Sequence, residues 1–367
     1  MRCAVVLGGY GNFGKRVVTA LAADRSCRVI VAGRDLQKAR AVADEMGGPA
    51  EAAALDSRAT NLAAELQRLG ANVVVHTAGP FQGQDYVVAK ACIEARAQYV
   101  DLADARAYVC GIGELDVAAR RNDLLVASGA SSVPALSSAV VDMLRTEFSI
   151  IQSIEHGITS GAKPPGLATM EGVLGYAGKP LAQWHDAAWR TVYGWQNLTR
   201  RKYPRPVGAR WIGNCDVPDL ELFPQRYAPV RTVIFRAGVS MKVGMLATWG
   251  ASWLVRAGLL SSLVRHVPGL RNTALLLERF GSRASAMHVT LRGLDAESQP
   301  ISRTWWLLAD NDHGPQVPCF AAIALAQKLL RGEVRARGAM PCMGLLTVDE
   351  ILAVGRGLDL RTTVTAD

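Results

Sequence analysis

The polarity pattern changes period within the first two dozen residues. Val5, Val6 and Leu7 lie in an unbroken run of small and branched apolar residues, which predicts a buried strand. A glycine cluster follows, and Val17, Val18 and Leu21 then recur at helical spacing. The same switch repeats down the first third of the chain. "CRVIVAGRD" (27–35) predicts a strand and "LQKARAVADEM" a helix. "AAALD" (52–56) is a third strand, and "ANVVVHTAGPF" (71–81) a fourth that ends in a Gly-Pro turn. "QDYVVAKACIEARA" predicts a helix, "QYVDLAD" a strand, "GELDVAARRN" a helix and "DLLVASGA" a strand. Strands alternating with helices predict a doubly wound parallel α/β sheet. Ligands of such a sheet sit at the carboxyl ends of its strands. That rim carries Asp56, Thr77 to Phe81, Asp101 to Asp104 and Ser128 to Pro134.

After residue 150 the pattern changes. "IQSIEHGITSG" reads as a strand leaving the first domain, and "PPGLATMEGVLGYAG" as a loop and helix. Residues 184–211 interleave arginine and lysine with tryptophan, a composition for a surface segment with tucked-in rings or for contact with an anionic substrate. The longest apolar run is 243–264. By length alone it could span a bilayer, but Arg256 in it would cost about 2.5–3.5 kcal/mol there. Trp249, Trp253, Ala257, Leu260 and Val264 share one helical face, and Thr248, Ser252 and Arg256 another. This sidedness predicts a helix buried at a domain or dimer interface, ahead of a substrate-pocket wall and of monotopic membrane attachment. Residues 285–310 alternate on both sides of "DAESQP", a β-hairpin, and "PQVPCFAAIALAQKLLRGEV" is a helix. The expected organisation is a nucleotide-binding domain at 1–135 and a substrate or dimerisation domain at 136–317. The latter is α+β with a mixed or antiparallel sheet. A C-terminal segment at 318–367 brings a helix that can return to the first domain and a loose tail after Arg356.

Composition narrows the function. A chain of 367 residues has room for two domains and a large core. The net charge of +9 suits anionic ligands, but no stripe or fold motif focuses it for nucleic acid. Seven scattered cysteines without C-x-x-C or His/Cys spacing predict free thiols in a reducing compartment and no metal site. No secretory signal pattern opens the sequence, so a cytoplasmic protein is expected.

Gly9-x-Gly11-x-x-Gly14 lies in the strand–turn–helix context that a dinucleotide site requires. Gly9 permits the tight turn, Gly11 lets a pyrophosphate approach the backbone, and Gly14 lets the helix pack close to the strand. The helix start offers free N–H groups and the positive dipole end to phosphate. The expected contact set is Gly8, Gly9, Gly11, Asn12, Phe13 and Gly14, in a Rossmann-type domain. The second strand ends in Gly33-Arg34, where an acid would grip a ribose 2′-hydroxyl. Arg34, with Lys38 one turn on, suits a 2′-phosphate and favours NADP over NAD. Asp35 is either that acid displaced or the N-cap of the next helix, the cap being the favoured role. Further along the rim, Asp56, Ala78, Gly79, Pro80, Phe81 and Ser131 are expected to contact cofactor. Hydride chemistry needs one proton donor or acceptor beside the nicotinamide. The candidates are Asp101, Asp104 and His76, the last also readable as a core histidine. Tyr86 and Lys90 match the Tyr-x-x-x-Lys of short-chain dehydrogenases, but too early in the chain and without the upstream serine.

Gly8 to Gly14, Gly79-Pro80-Phe81, Val87 to Ala95 and Tyr99-Val100-Asp101 resemble the saccharopine dehydrogenase-like family. So do "SGASSVPALSSAVVDML" and the segment from Gly314 to Ile351. "YVDLADA" departs from the family's usual acid after the "YVD" strand. The resemblance implies a two-domain oxidoreductase with a nicotinamide cofactor, NADP ahead of NAD, and supports Pro80 and Phe81 as a wall for the nicotinamide. The expected reaction reduces or oxidises an imine, carbonyl or activated double bond of a small or lipid-like substrate. A homodimer is the expected assembly, with peripheral membrane contact less favoured. One alternative is a non-catalytic NADP(H)-binding sensor or membrane-associated scaffold, and another is an NAD-dependent epimerase or reductase of a different Rossmann family.

Overall fold

The computed structural model describes residues 1–48 and 50–366. The elements open with β1 (Arg2–Leu7), α1 (Asn12–Ala23), β2 (Cys27–Gly33), α2 (Leu36–Met46), β3 (Ala50–Ala54), α3 (Leu62–Arg68) and β4 (Val73–His76). Next come α4 (Val87–Glu94), β5 (Gln98–Asp101), α5 (Arg106–Gly111), α6 (Asp116–Arg121), β6 (Leu125–Ser128) and α7 (Ser137–Leu144). The middle of the chain supplies β7 (Ile150–Ser160), α8 (Leu167–Leu174), β8 (Pro180–His185), β9 (Ala188–Tyr193), β10 (Thr199–Lys202), β11 (Ala209–Asn214) and α9 (Asp219–Arg226). It continues with β12 (Thr232–Val239), α10 (Lys242–Arg256), α11 (Val267–Leu277), β13 (Ser285–Leu294) and β14 (Pro300–Ala309). The chain closes with α12 (Val317–Arg331), β15 (Gly338–Pro341), α13 (Val348–Ala353) and β16 (Leu360–Ala366).

Two compact units divide these elements: Met1–Ala139 with Gln316–Arg356, and Val140–Pro315 with Gly357–Asp367. The first unit is a seven-stranded sheet ordered β15-β6-β5-β4-β1-β2-β3, parallel at every pairing. Strand order reverses between β1 and β4, and ligands of such sheets bind at that switch point. The β1 run Ala4 to Leu7 is buried, as strands covered on both faces must be. α12 is apolar nearly all round because it is a core helix, packed on α1 and against β1, β4 and β5. After it the chain adds β15 beside β6, a seventh strand that local patterning does not announce.

The second unit holds a nine-stranded mixed sheet, ordered β10-β11-β12-β7-β13-β14-β16, with β8 paired to β12 and β9. β12 and β7 run parallel, and β13 and β14 form the hairpin around residues 295–299. One face of this sheet is apolar: Ile154, Val289, Leu291, Phe235 and Trp305 are buried there. The expectation of a loose tail is corrected. Residues 360–366 form β16 and pair antiparallel with β14 from Arg303 to Ala309; most of its side chains are exposed, so the backbone ladder is what holds it. The basic aromatic run is largely strand. It forms the end of β8, then β9, β10 and the start of β11, with Trp195 buried and Trp184 edge-on to Trp189. The long apolar run is shorter as a helix than its composition suggests. α10 ends at Arg256, followed by Gly258 at φ +75°, and within the single chain Trp249, Trp253 and Ala257 of its apolar face are exposed. Among the described residues no helix is long and apolar enough to cross a membrane.

Candidate functional site

The first unit's site starts at the carboxyl end of β1. Gly8 has φ +79°, and a β-carbon there would lie 2.9 Å from Thr77 Oγ1 and 3.1 Å from the Ala78 nitrogen. The turn is therefore wedged between the ends of β1 and β4, at the switch point. The Gly8 and Gly9 N–H groups both donate to the Ala32 carbonyl, and Gly11 N–H donates back to Gly8. A β-carbon on Gly9 would lie 2.9 Å from Val31 Cγ1 and 3.0 Å from the Val6 carbonyl oxygen, so a side chain there would press on β1 and β2. A β-carbon on Gly14 would collide with the Gly8 carbonyl oxygen and sit 2.8 Å from Gly9 Cα. Gly11 differs: its β-carbon would meet only the Gly8 oxygen, at 3.0 Å. It is the exposed N-cap of α1 at φ −75°, with no side chain capping the helix. Exposed Asn12 and partly buried Phe13 begin α1, which has no acidic residue in its first turn. The free N–H groups and open backbone form a cradle that a diphosphate fits.

At the end of β2, Arg34 is exposed and makes no ion pair among the described residues. Asp35 is committed: its Oδ1 accepts from the Gln37 and Lys38 N–H groups at 3.1 Å and caps α2. Those backbone bonds, with Lys38 Nζ 3.3 Å away, hold its carboxyl below the ordinary range. Lys38 is thus placed beside Asp35. Tyr10, a residue sequence reasoning passed over, packs against Gly33. A Gly33 β-carbon would sit 2.8 Å from its Cζ, and the Tyr10 hydroxyl accepts the Asp35 N–H at 3.2 Å. The signal is there in hindsight: an aromatic between two turn glycines, and a glycine ending the next strand. Asp56 is exposed, with Oδ1 accepting the Arg58 N–H in a turn after β3.

The β4 end carries the Ala78–Phe81 turn, with Gly79-Pro80 cis. Gln84, also missed, braces it by donating to the Ala78 and Pro80 carbonyls at 3.1 and 2.6 Å. Gly79 and Pro80 are exposed, and Phe81 is buried edge-on to His76 at 5.0 Å. His76 is buried, its Nδ1 3.1 Å from the Tyr99 hydroxyl, which in turn lies 3.0 Å from the Tyr108 hydroxyl. Burial lowers the His76 pKa to about 4, against the Ala78 backbone contact, so the ring is neutral at physiological pH.

His76 stands directly opposite Asp101 in the β4–β5 register. Asp101 is fully buried, and its Oδ1 accepts from Gly129 N–H (2.7 Å), Ala103 N–H (2.9 Å) and Ser128 Oγ (3.1 Å). Burial raises its pKa to about 6, opposed by those donors and the Tyr99 hydroxyl. Its carboxyl ties the end of β5 to the turn after β6. Asp104 is partly exposed; burial raises its pKa, and Gln82 Nε2 at 3.3 Å lowers it. Ser131 is buried in that turn, its N–H donating to the Gly129 carbonyl. The structure thus gathers Gly8, Thr77 and Ala78 at the switch point, and His76, Tyr99 and Asp101 on one face beside it.

Residues 4–143 match the model of the saccharopine dehydrogenase NADP binding domain. That stretch is thus similar to the family's cofactor-binding domain. The chain's fold is similar to that of apo saccharopine dehydrogenase (L-Glu forming) from Saccharomyces cerevisiae, at 15% identity and a TM-score of 0.71 over the whole of both chains. It is also similar to amine dehydrogenase from Mycobacterium smegmatis (12% identity, 95% of each chain, TM-score 0.49). A third solved structure is GenD2 from gentamicin A biosynthesis, in complex with NAD (14% identity, 99% of this chain and 96% of that one, TM-score 0.45). No curated protein matches the sequence significantly. The saccharopine dehydrogenase-like domain supports a nicotinamide cofactor and an oxidoreductase. The Tyr86-x-x-x-Lys90 match has another use. The Tyr86 hydroxyl donates to the Tyr108 carbonyl at 2.6 Å, and burial pushes its pKa up to about 12, the wrong direction for an acid. Lys90 is exposed, 3.5 Å from Glu114.

Proposed function

We propose that the chain is an NADP-dependent oxidoreductase acting on an imine, carbonyl or activated double bond of a small or lipid-like substrate. The observation that carries the cofactor choice is Asp35, whose carboxylate is consumed as the α2 cap and leaves Arg34 as the exposed charge at the end of β2. The Gly8–Gly14 turn and the α1 N-terminus hold the pyrophosphate, and Arg34 pairs with the 2′-phosphate. When bound, the nicotinamide supplies hydride transfer. Asp104, partly exposed and with a raised pKa, is the group in this reading that exchanges a proton with substrate. Asp101 is a positioning residue that fixes the turn after β6.

Titration of NADPH and NADH into the purified protein tests this. NADPH should bind more tightly, and Arg34→Ala should weaken it about 10- to 100-fold, the range for one charge-assisted bond, without changing NADH. Asp35→Ala should cost about 1 kcal/mol of stability through the lost cap and leave the NADPH to NADH ratio unchanged. Equal binding of both cofactors, with NADH weakened by Asp35→Ala, would instead give Asp35 the ribose and make the cofactor NAD.

A further inference from the structure

α10 buries a narrow side and leaves a broad apolar one exposed. Met245 and Ser252 are buried, Ala251 and Val255 pack beside Met245, and the Thr248 and Ser252 hydroxyls donate to the Gly244 and Trp249 carbonyls. The side it presents to solvent carries Val243, Leu246, Trp249, Trp253 and Leu254, with Lys242 and Arg256 exposed at its two ends. The exposure continues past the helix through Leu259 (77%) and along α11 to Leu276 (77%) and Phe280 (73%). Among the described residues, 11 of the 19 exposed large hydrophobics fall between 243 and 280, so exposed apolar surface concentrates in this one segment.

Charge says what covers it. Residues 242–283 contain six lysines and arginines and one acid, Glu278. Lys242, Arg265 and Arg279 have no ion pair among the described residues. Two copies meeting on this patch would bring like charges together across a symmetric interface. An anionic lipid surface takes both features, with apolar side chains in the acyl boundary and arginines at the headgroups. Exposed tryptophans suit that boundary, where the ring is apolar and its N–H wet. α10 has 15 residues, short of a bilayer span, so it lies in the plane.

We infer that the α10–α11 face docks the protein on anionic membrane, with no dependence on the cofactor reading. Flotation of the full chain with phosphatidylcholine vesicles, and with phosphatidylcholine–phosphatidylglycerol vesicles, tests it at low and high salt. Binding should require the anionic lipid and weaken with salt. Arg265→Gln/Arg279→Gln should reduce it about 25-fold, near fivefold for each basic side chain. Val243→Gln/Leu276→Gln/Phe280→Gln, all at exposed positions, should reduce it at least about tenfold with unchanged thermal melting. Absence of flotation with either vesicle overturns the inference, as does salt-independent binding to phosphatidylcholine alone. So does a dimer, seen by sedimentation equilibrium, that the same triple variant dissociates while the parent chain fails to float.

Discussion

Gly14→Ala is expected to lower the melting temperature by about 10 °C and with it abolish dinucleotide binding, whereas Gly11→Ala should melt normally and still fail to bind. The two glycines sit in one turn three residues apart but face different neighbours. A methyl on Gly14 runs into the Gly8–Gly9 backbone: the Gly8 carbonyl oxygen, the Gly8 carbonyl carbon at 2.7 Å and Gly9 Cα at 2.8 Å. None of these can rotate away. The helix must move off the sheet, an overpacking cost of about 3 kcal/mol, which at this size is about 10 °C. Gly11 has an ordinary φ of −75° and one contact, at 3.0 Å. Its alanine loses little in the fold, and the entropy removed from the unfolded chain offsets that contact to within about 1 kcal/mol. The methyl instead fills the approach that a pyrophosphate uses. Calorimetric melting of both variants, followed by NADPH titration of Gly11→Ala, separates the effects. Normal NADPH affinity in Gly11→Ala would remove the pyrophosphate from this turn.

That turn was readable because its constraints are local: strand, glycines and helix follow one another within twenty residues. The alternating first domain was readable for the same reason. β15 and β16 were not, since each joins its sheet beside a strand distant in sequence, and four or seven residues carry little periodicity of their own. α10 shows how a correct pattern can mislead. Its two faces are plain in the sequence, but Thr248 and Ser252 satisfy themselves on their own helix, so those two positions can turn inward while Arg256 stays exposed. Among the site candidates, the commitment of Asp35 was a legible N-cap, while Tyr10 against Gly33 depends on a contact 23 residues apart. The pairing of His76 with Asp101 is a matter of strand register, which spacing along the chain does not give.

That register pair carries the second large effect. Between pH 4 and 6 the folded chain holds Asp101 protonated and His76 neutral. At ordinary pKa values of 3.8 and 6.5 the unfolded chain holds the same two residues as carboxylate and imidazolium. Asp101, with its folded pKa raised, contributes stability that is full below 3.8 and lost as pH rises through about 6. His76, with its folded pKa lowered, contributes stability that is full above 6.5 and lost as pH falls through about 4. On unfolding one proton leaves the aspartic acid and one joins the imidazole, so the two slopes cancel and the pair is silent in the parent chain. Asp101→Asn breaks the cancellation while keeping an oxygen for the Gly129, Ala103 and Ser128 donors. Relative to the parent, its stability should climb with pH by about 1.4 kcal/mol per unit, reaching about 3 kcal/mol across the window. Urea unfolding midpoints of both chains at several pH values measure the difference. Parallel curves would mean that Asp101 ionises in the folded state as it does in the unfolded one, and that its buried bonds to Gly129 and Ala103 fully replace the water it has lost.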